Sequence, residues 1–335
     1  MKIVFMGTPD FAVGALEALI GAGHEITAVV TQPDKPKGRS GQLQPSPVKE
    51  CALKYGIPVF QPKRIKTPEA VLQLKEFEAD VYVVAAFGQI LSQEILDIPK
   101  YGCLNIHASL LPKYRGTSPI QHVIIAGEEK SGVTIMQMDA GVDTGDMLYK
   151  KEVEISDADT FETLHDKLMK LGGEAIVEAL VLLEEGKIIP VKQSDEESCY
   201  ASLIDKSMGK LDFSQSAVTL DRLIRGMNPW PSAYTFYKGK QLKIWRAAPI
   251  GASGAGNSGE GISGAEASGA GASLEAAENP AWESGVVRSV EKDFIDVVTG
   301  EGILRIYELQ LEGKKRMSAH DFLLGVRIKQ GEKLG

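Results

Sequence analysis

Within GCLNIHASLLPKYRG (102–116), an asparagine, a histidine and a serine stand at 105, 107 and 109, separated by apolar Ile106 and Ala108. Strand side chains alternate between faces with a period of two. The spacing therefore predicts Asn105, His107 and Ser109 on one face and Leu104, Ile106 and Ala108 on the other. An amide can donate to an oxygen that gains negative charge, and an imidazole beside it can give or take a proton. A lone histidine more often bonds within the fold without chemistry, but polar neighbours on its own face shift that balance towards a site. A carboxylate would complete the set, and MDAGVDTGD (138–146) offers Asp139, Asp143 and Asp146 on a glycine-rich turn. A merely solvated acidic turn is the plain alternative for each. Cys103 shares the face of Asn105, but its apolar surroundings predict an inert thiol, so direct transfer is expected rather than a covalent enzyme intermediate. The His and Cys spacing gives no zinc pattern, and no metal is expected.

Such residues need a scaffold. KIVFMG (2–7), a helix through Phe11, Leu16, Leu19 and Ile20, and ITAVVT (26–31) predict a parallel strand–helix–strand unit. The pattern continues through a helix near 47–55, IPVFQ (57–61), a helix near 67–77 and ADVYVVAAFG (79–88). This alternation predicts a doubly wound, mostly parallel Rossmann-like α/β sheet, with ligands beyond the carboxyl ends of its strands. The turn after KIVFMG lacks G-x-G-x-x-G, and no P-loop occurs, so neither a nicotinamide cofactor nor a nucleoside triphosphate is expected. VTIMQM and MLYKKEVEI predict a hairpin around the acidic turn, and an amphipathic helix is expected over about 160–185.

Residues 1–189 are thus expected to form the catalytic domain, 190–210 a linker, and 211–335 a second domain of short strands forming a small OB-like β-barrel. Gly, Ala and Ser dominate 251–278, which predicts a flexible insertion that carries no chemistry. The net charge of −8 is segregated: residues 34–66 hold eight basic side chains against two acidic, 201–250 eight against three, and 139–200 sixteen acidic against six basic. Two basic zones in an acidic protein suit a polyanionic partner, although such runs are often only solvated faces. Three widely spaced cysteines, a Gly- and Pro-broken N-terminus and the lack of a long apolar run predict a cytoplasmic protein with reduced thiols and no membrane span.

NIHASLLPKYRG (105–116), SPIQ (118–121), GVTIMQMDAGVDTGDML (132–148), NPWPSAY (228–234) and PDKPKGRSGQLQPSPVK (33–49) closely resemble the methionyl-tRNA formyltransferases. The likeness covers nearly the whole chain outside the Gly/Ala/Ser insertion. It implies transfer of the formyl group of 10-formyltetrahydrofolate to the α-amine of methionyl initiator tRNA. It assigns Asn105 and His107 to the formyl oxygen. Asp143 is assigned to orienting His107 and to assisting proton removal from the amine through water. The folate is expected along Phe87, Gly88, Gln89, Ile90 and Leu91, with Ser109, Leu110, Leu111, Pro112 and Asp139. Lys35, Lys37, Arg39 and Lys49 would meet the tRNA acceptor end from the 34–49 loop, and Lys206 and Lys210 in the linker would hold the tRNA flank. Ser40, Gly41 and Gln42 stand where the family often carries further basic residues. Lys238, Lys240, Lys243 and Arg246 would hold the tRNA flank through phosphates, whereas Tyr234, Phe236, Tyr237 and Trp245 are expected mostly in the core. The resemblance also implies a monomer.

Two other readings share parts of this pattern. A formyl-folate enzyme acting on a small amine or on water would use the same three residues but would not need a basic second domain. A nucleic-acid-binding protein would need the basic zones but would have no reason to align Asn105 with His107.

Overall fold

Most of the described first unit alternates strand and helix, as the apolar periodicity requires. β1 (Lys2–Gly7), α1 (Asp10–Gly21) and β2 (Glu25–Val30) are followed by the short β3 (Lys35–Pro36) and β4 (Leu43–Gln44). Then come α2 (Pro47–Lys54), β5 (Val59–Phe60), α3 (Pro68–Glu76), β6 (Val81–Ala85), α4 (Gln93–Leu96) and β7 (Cys103–His107). β8 (Arg115–Gly116), α5 (Pro119–Ala126), β9 (Lys130–Gln137), β10 (Met147–Glu154), α6 (Phe161–Glu184) and β11 (Tyr200–Ala201) complete it. The computed structural model describes residues 1–36, 42–251 and 282–335, which divide into two compact units, Met1–Ile204 and Asp205–Gly335. Lys37 and Arg39, and the insertion from residue 252 onward, lie outside the described residues.

Seven strands run in the order β10-β9-β7-β6-β1-β2-β5. Those from β7 to β5 are parallel, and the β9–β10 hairpin extends that edge antiparallel. The order reverses between β1 and β6, the kind of switch point beyond which α/β sheets bind ligands. Both faces of the sheet are covered. Ile3, Phe5, Val81, Val83, Leu104 and Ile106 join α1 and α6 in one core cluster, while Val4, Met6, Tyr82, Val84 and Cys103 join α3 and α4 in another. The second cluster ends at Cys103, and the next residues on that face are the polar Asn105 and His107.

Two helix starts follow directly from sequence chemistry. Ser46 and Thr67 accept the N–H groups of Lys49 and Ala70 with their hydroxyls, and proline occupies the first turn of each helix. α1 and α6 approach so closely that only glycine fits at two positions. A Cβ at Gly173 would lie 2.9 Å from the carbonyl oxygen of Gly14, and one at Gly14 would lie 2.7 Å from Cγ of Met169.

The expected linker 190–210 is divided between the two units. Val191 bridges to Met147, and Tyr200–Ala201 pairs in parallel with Arg115–Gly116, so main-chain hydrogen bonding ties 190–204 onto the first unit. Residues from Asp205 belong to the second unit, where the 3₁₀ turn Lys206–Gly209 leads to a bridge between Lys210 and Tyr234. Low apolar periodicity concealed this attachment, because backbone pairs and the polar side chain of Gln193 make much of it.

The second unit contains α7 (Ala217–Gly226), β12 (Ala233–Tyr237), β13 (Lys240–Ile250), β14 (Val287–Val290), β15 (Ile295–Val298), β16 (Ile303–Leu311), β17 (Met317–Ser318) and α8 (Ala319–Gly325). The strands form an antiparallel sheet in the order β12-β13-β16-β15-β14, with β17 on β16, and Leu220, Ile224 and Phe322 bring α7 and α8 into its core. Tyr237 is buried as expected, whereas Tyr234, Phe236 and Trp245 are only half-buried.

Replacing Gly173 with valine forces α1 and α6 apart and will cost about 1–3 kcal/mol. Denaturant unfolding checks this as a lower midpoint with an unchanged slope.

Candidate active site

The hairpin turn from Met138 to Asp146 reaches over the end of β7. Antiparallel pairing sets Asn105 opposite Met136 and Leu104 opposite Gln137, and a bond from Gln137 N–H to the Asp146 carbonyl (2.8 Å) closes the turn at its base. This places Asp143 over the polar face of β7. Asn105 Nδ2 lies 3.4 Å from Asp143 Oδ1, and His107 Nδ1 lies 3.7 Å from Asp143 Oδ2. The other ring nitrogen, His107 Nε2, bonds the Tyr114 carbonyl at 2.9 Å. A carbonyl only accepts, so Nε2 carries a proton and Nδ1 is the nitrogen left to exchange one. His107 is buried, whereas Asn105 is half-buried and the Asp143 side chain retains 17% exposure, so the cluster meets solvent through the amide and the carboxylate.

Asp143 has a backbone φ of +53°, in the left-handed region that non-glycine residues seldom occupy. Gly116 N–H donates to its Oδ2 at 2.9 Å. Gly116 itself has φ +108°, and a Cβ there would lie 2.7 Å from the Ala201 carbonyl oxygen, so no other residue could bring its N–H there without moving β11.

Several of the residues expected along the folate make hydrogen bonds that hold the loops. Ser109 is fully buried, and its hydroxyl donates to the Lys113 carbonyl at 2.7 Å. Its own carbonyl accepts from Thr134 Oγ1, which in turn accepts Leu111 N–H. Leu111 packs with Met136 and Met147, while Leu110 and Pro112 are half-buried. Asp139 is exposed and caps its own turn, accepting from Thr144 Oγ1 at 2.8 Å and from Gly141 N–H at 3.0 Å. Phe87 and Leu91 are core side chains, and the Phe87 carbonyl already accepts from Thr8 Oγ1 and Gln32 Nε2. The Gln89 amide is engaged at both ends, accepting from Ile65 N–H and donating to the Pro62 carbonyl. Gly88, at φ +81°, and Ile90, 66% exposed, are the members of the 87–91 segment left facing outward.

The cations are divided in the same way. Lys49 is paired with Asp34 at 2.7 Å, and bonds from Lys49 and Gln61 hold the Asp34 carboxyl below its ordinary range. A phosphate at Lys49 would compete with Asp34 for the ammonium. Lys35 is exposed, as are Lys206 and Lys210, and among the described residues neither of the latter two makes a salt bridge. Lys238 pairs with Glu332, and Arg246 with Glu308. Half-buried Trp245 lies between the Lys243 ammonium, 5.8 Å from its ring centroid, and the Arg316 guanidinium, 4.9 Å away.

Tyr114, Gly116 and Gln193 contribute main-chain or amide contacts that no side-chain pattern announced. The Arg-Gly pair following a proline loop was the one available signal for a close backbone approach. Among the described residues, no group of three or more His, Cys, Asp or Glu side chains is placed to hold a metal ion, and no helix is long and apolar enough to cross a membrane. Burial pushes the Cys103 thiol up to about 12, with the nearby Asp97 charge adding to it. A thiol reagent applied to the folded protein will therefore label exposed Cys199 and spare Cys51 and Cys103, which mass spectrometry of the peptides will show.

The formyl transferase family matches residues 1–180, and the formyl transferase C-terminal domain matches residues 203–327. A methionyl-tRNA formyltransferase of Lachnospira eligens is 48% identical over 335 residues, covering all of both chains. That of Agathobacter rectalis is 47% identical over 331 residues, or 99% of this chain and 98% of its own. Among solved structures, the sugar N-formyltransferase WlaRD, in the presence of dTDP and 5-N-formyl-THF, superposes with a TM-score of 0.63 at 20% identity, covering 94% of this chain and 99% of that one. The N-formyltransferase of Helicobacter canadensis gives a TM-score of 0.64 at 18% identity over 95% and 100%. These two share the fold. With near-half identity along its whole length to the translation enzymes and both domain families matched, the chain belongs to the methionyl-tRNA formyltransferases.

Proposed function

We propose that this protein transfers the formyl group of 10-formyltetrahydrofolate to the α-amine of methionine carried by initiator tRNA, acting as a cytoplasmic monomer. The observation that carries the chemistry is the convergence of the Asn105 amide, the His107 Nδ1 and the Asp143 carboxylate at one strand end. Full-length identity to tRNA formyltransferases supports the acceptor.

The donor supplies a formyl carbon activated on a ring-bearing nitrogen. Outward-facing Gly88 and Ile90 beside the switch point leave a backbone edge and an apolar contact suited to a flat, partly apolar heterocycle. The transfer joins the amine nitrogen to the formyl carbon and breaks the bond from that carbon to the donor nitrogen. One proton must pass from the amine to the donor nitrogen. Asn105 Nδ2–H and His107 Nδ1–H are assigned to the formyl oxygen as it gains negative charge. Because Nε2 is committed to Tyr114, Nδ1 can donate only when the ring is doubly protonated, and the Asp143 carboxylate compensates that charge. Asp143, with Oδ2 steadied by Gly116, then receives the amine proton through water and returns it to the leaving nitrogen.

Asn105→Ala will leave folding intact and lower kcat by about 10²–10³, the cost of losing one oxyanion donor. Single-turnover transfer with purified charged initiator tRNA, run beside free methionine and water as acceptors, is the decisive assay. Formylation of the charged tRNA alone supports the full reading, whereas formate release or equal transfer to free methionine removes the tRNA from it. Lys206 and Lys210 are assigned to tRNA phosphates. The double alanine variant will weaken tRNA binding and reduce the slope of log K against log salt by about one to two, with kcat at saturation retained.

A further inference from the structure

Asp143 depends on contacts from outside its own turn. Its left-handed backbone is held by one side chain, Gln193, whose Nε2 donates to the carbonyls of both Asp143 and Gly145, each at 2.8 Å. Gln193 Oε1 accepts Arg115 Nε at 2.9 Å, and Arg115 Nη1 bonds Asp195 at 2.8 Å. Arg115 immediately precedes Gly116, the residue whose N–H holds the Asp143 carboxylate, and its own N–H donates to the Cys199 carbonyl. Residues 193–201 therefore grip both the turn that carries Asp143 and the strand that carries its hydrogen-bond donor.

The Gln193 amide has one workable orientation, because a flipped amide would set its oxygen against two carbonyl oxygens and its NH₂ against an N–H. The arrangement is costly as a purely structural device. The Arg115 side chain is only 10% exposed, its main ion-pair partner Asp195 is 88% exposed, and among the described residues Arg115 Nη2 is buried with no partner. Burying a charge with a donor unmet is unfavourable, and an apolar contact would hold the segment at less cost.

We propose that Gln193 is a positioning residue for formyl transfer. It fixes the main chain of Asp143, with Arg115 setting the direction of its amide, so that the carboxylate keeps its place beside His107 Nδ1. This rests on the reading of Asp143 as the proton-handling partner of His107.

The test uses the full chain with Gln193→Glu, which keeps an acceptor for Arg115 but turns an oxygen towards the two carbonyls. Gln193→Met, which removes both contacts without adding charge, serves if the first variant does not fold. The expected result is a fall in kcat of about tenfold to a hundredfold with unchanged KM for charged tRNA and donor. In an Asp143→Asn background the same substitution will cause no further loss, because the two act through one group. A second readout needs no turnover: the NMR titration of the His107 ring, assigned with His107→Asn, will move in the Gln193 variant. Losses that multiply in the Asp143→Asn background, or a kcat fall explained by unfolded protein with the His107 titration unmoved, overturn the proposal. If the unmodified chain formylates no charged tRNA, the functional reading fails, and the His107 titration still decides whether Gln193 governs Asp143.

Discussion

The Asp143 carboxylate, held by Gly116 N–H on one oxygen and by the Asn105 amide on the other, joins the two halves of the candidate site. On one side lie β7 and the loop that returns from it; on the other lies the hairpin turn between β9 and β10. Neither half is built to find the other by local preference, since Tyr114, Gly116 and Asp143 all have positive φ. Such conformations cost free energy at each non-glycine residue, and they persist only where the surroundings over-determine them. The parallel core supplies that rigidity. β7 is buried between β6 and β9, and its apolar face is sealed by the cluster that contains α1 and α6.

Much of this arrangement was legible in the sequence, for identifiable reasons. The two-residue alternation across 103–108 sorted Leu104 and Ile106 from Asn105 and His107 correctly, because a strand with one face sealed in the core has no freedom of register. The apolar runs and cap residues likewise placed α2, α3 and α6 to within a residue or two. Ser109 shows where the rule stops: β7 ends at His107, and beyond it the chain turns, so the hydroxyl that alternation would aim outward is spent on the Lys113 carbonyl. Tyr114, Gly116 and Gln193 were illegible for another reason. They act through a carbonyl, an N–H and an amide whose partners lie from seven to fifty residues away, and no periodicity records such partners.

Charge was similarly half-readable. Counting Lys and Arg located the basic zones, but counting cannot see pairing. Lys49 is neutralised by Asp34 and Arg246 shares Glu308 with Arg316, whereas Lys206 and Lys210 remain exposed. The aromatic residues of β12 and β13 were expected mostly in the core, yet only Tyr237 is fully buried there. Tyr234, Phe236 and Trp245 lie on the half-exposed side of the antiparallel sheet. Strand alternation applies to them too, but a sheet with one wet face gives aromatics two places to go.

The Phe87 carbonyl has a consequence beyond holding its own loop. It receives Thr8 from the end of β1 and Gln32 from the end of β2, so three strand termini are knotted at one acceptor. Just past this knot, Lys35–Pro36 and Leu43–Gln44 pair as a two-residue antiparallel ladder. Strand ends that share one acceptor cannot move separately, so a displacement at the end of β1, β2 or β6 is passed to the other two.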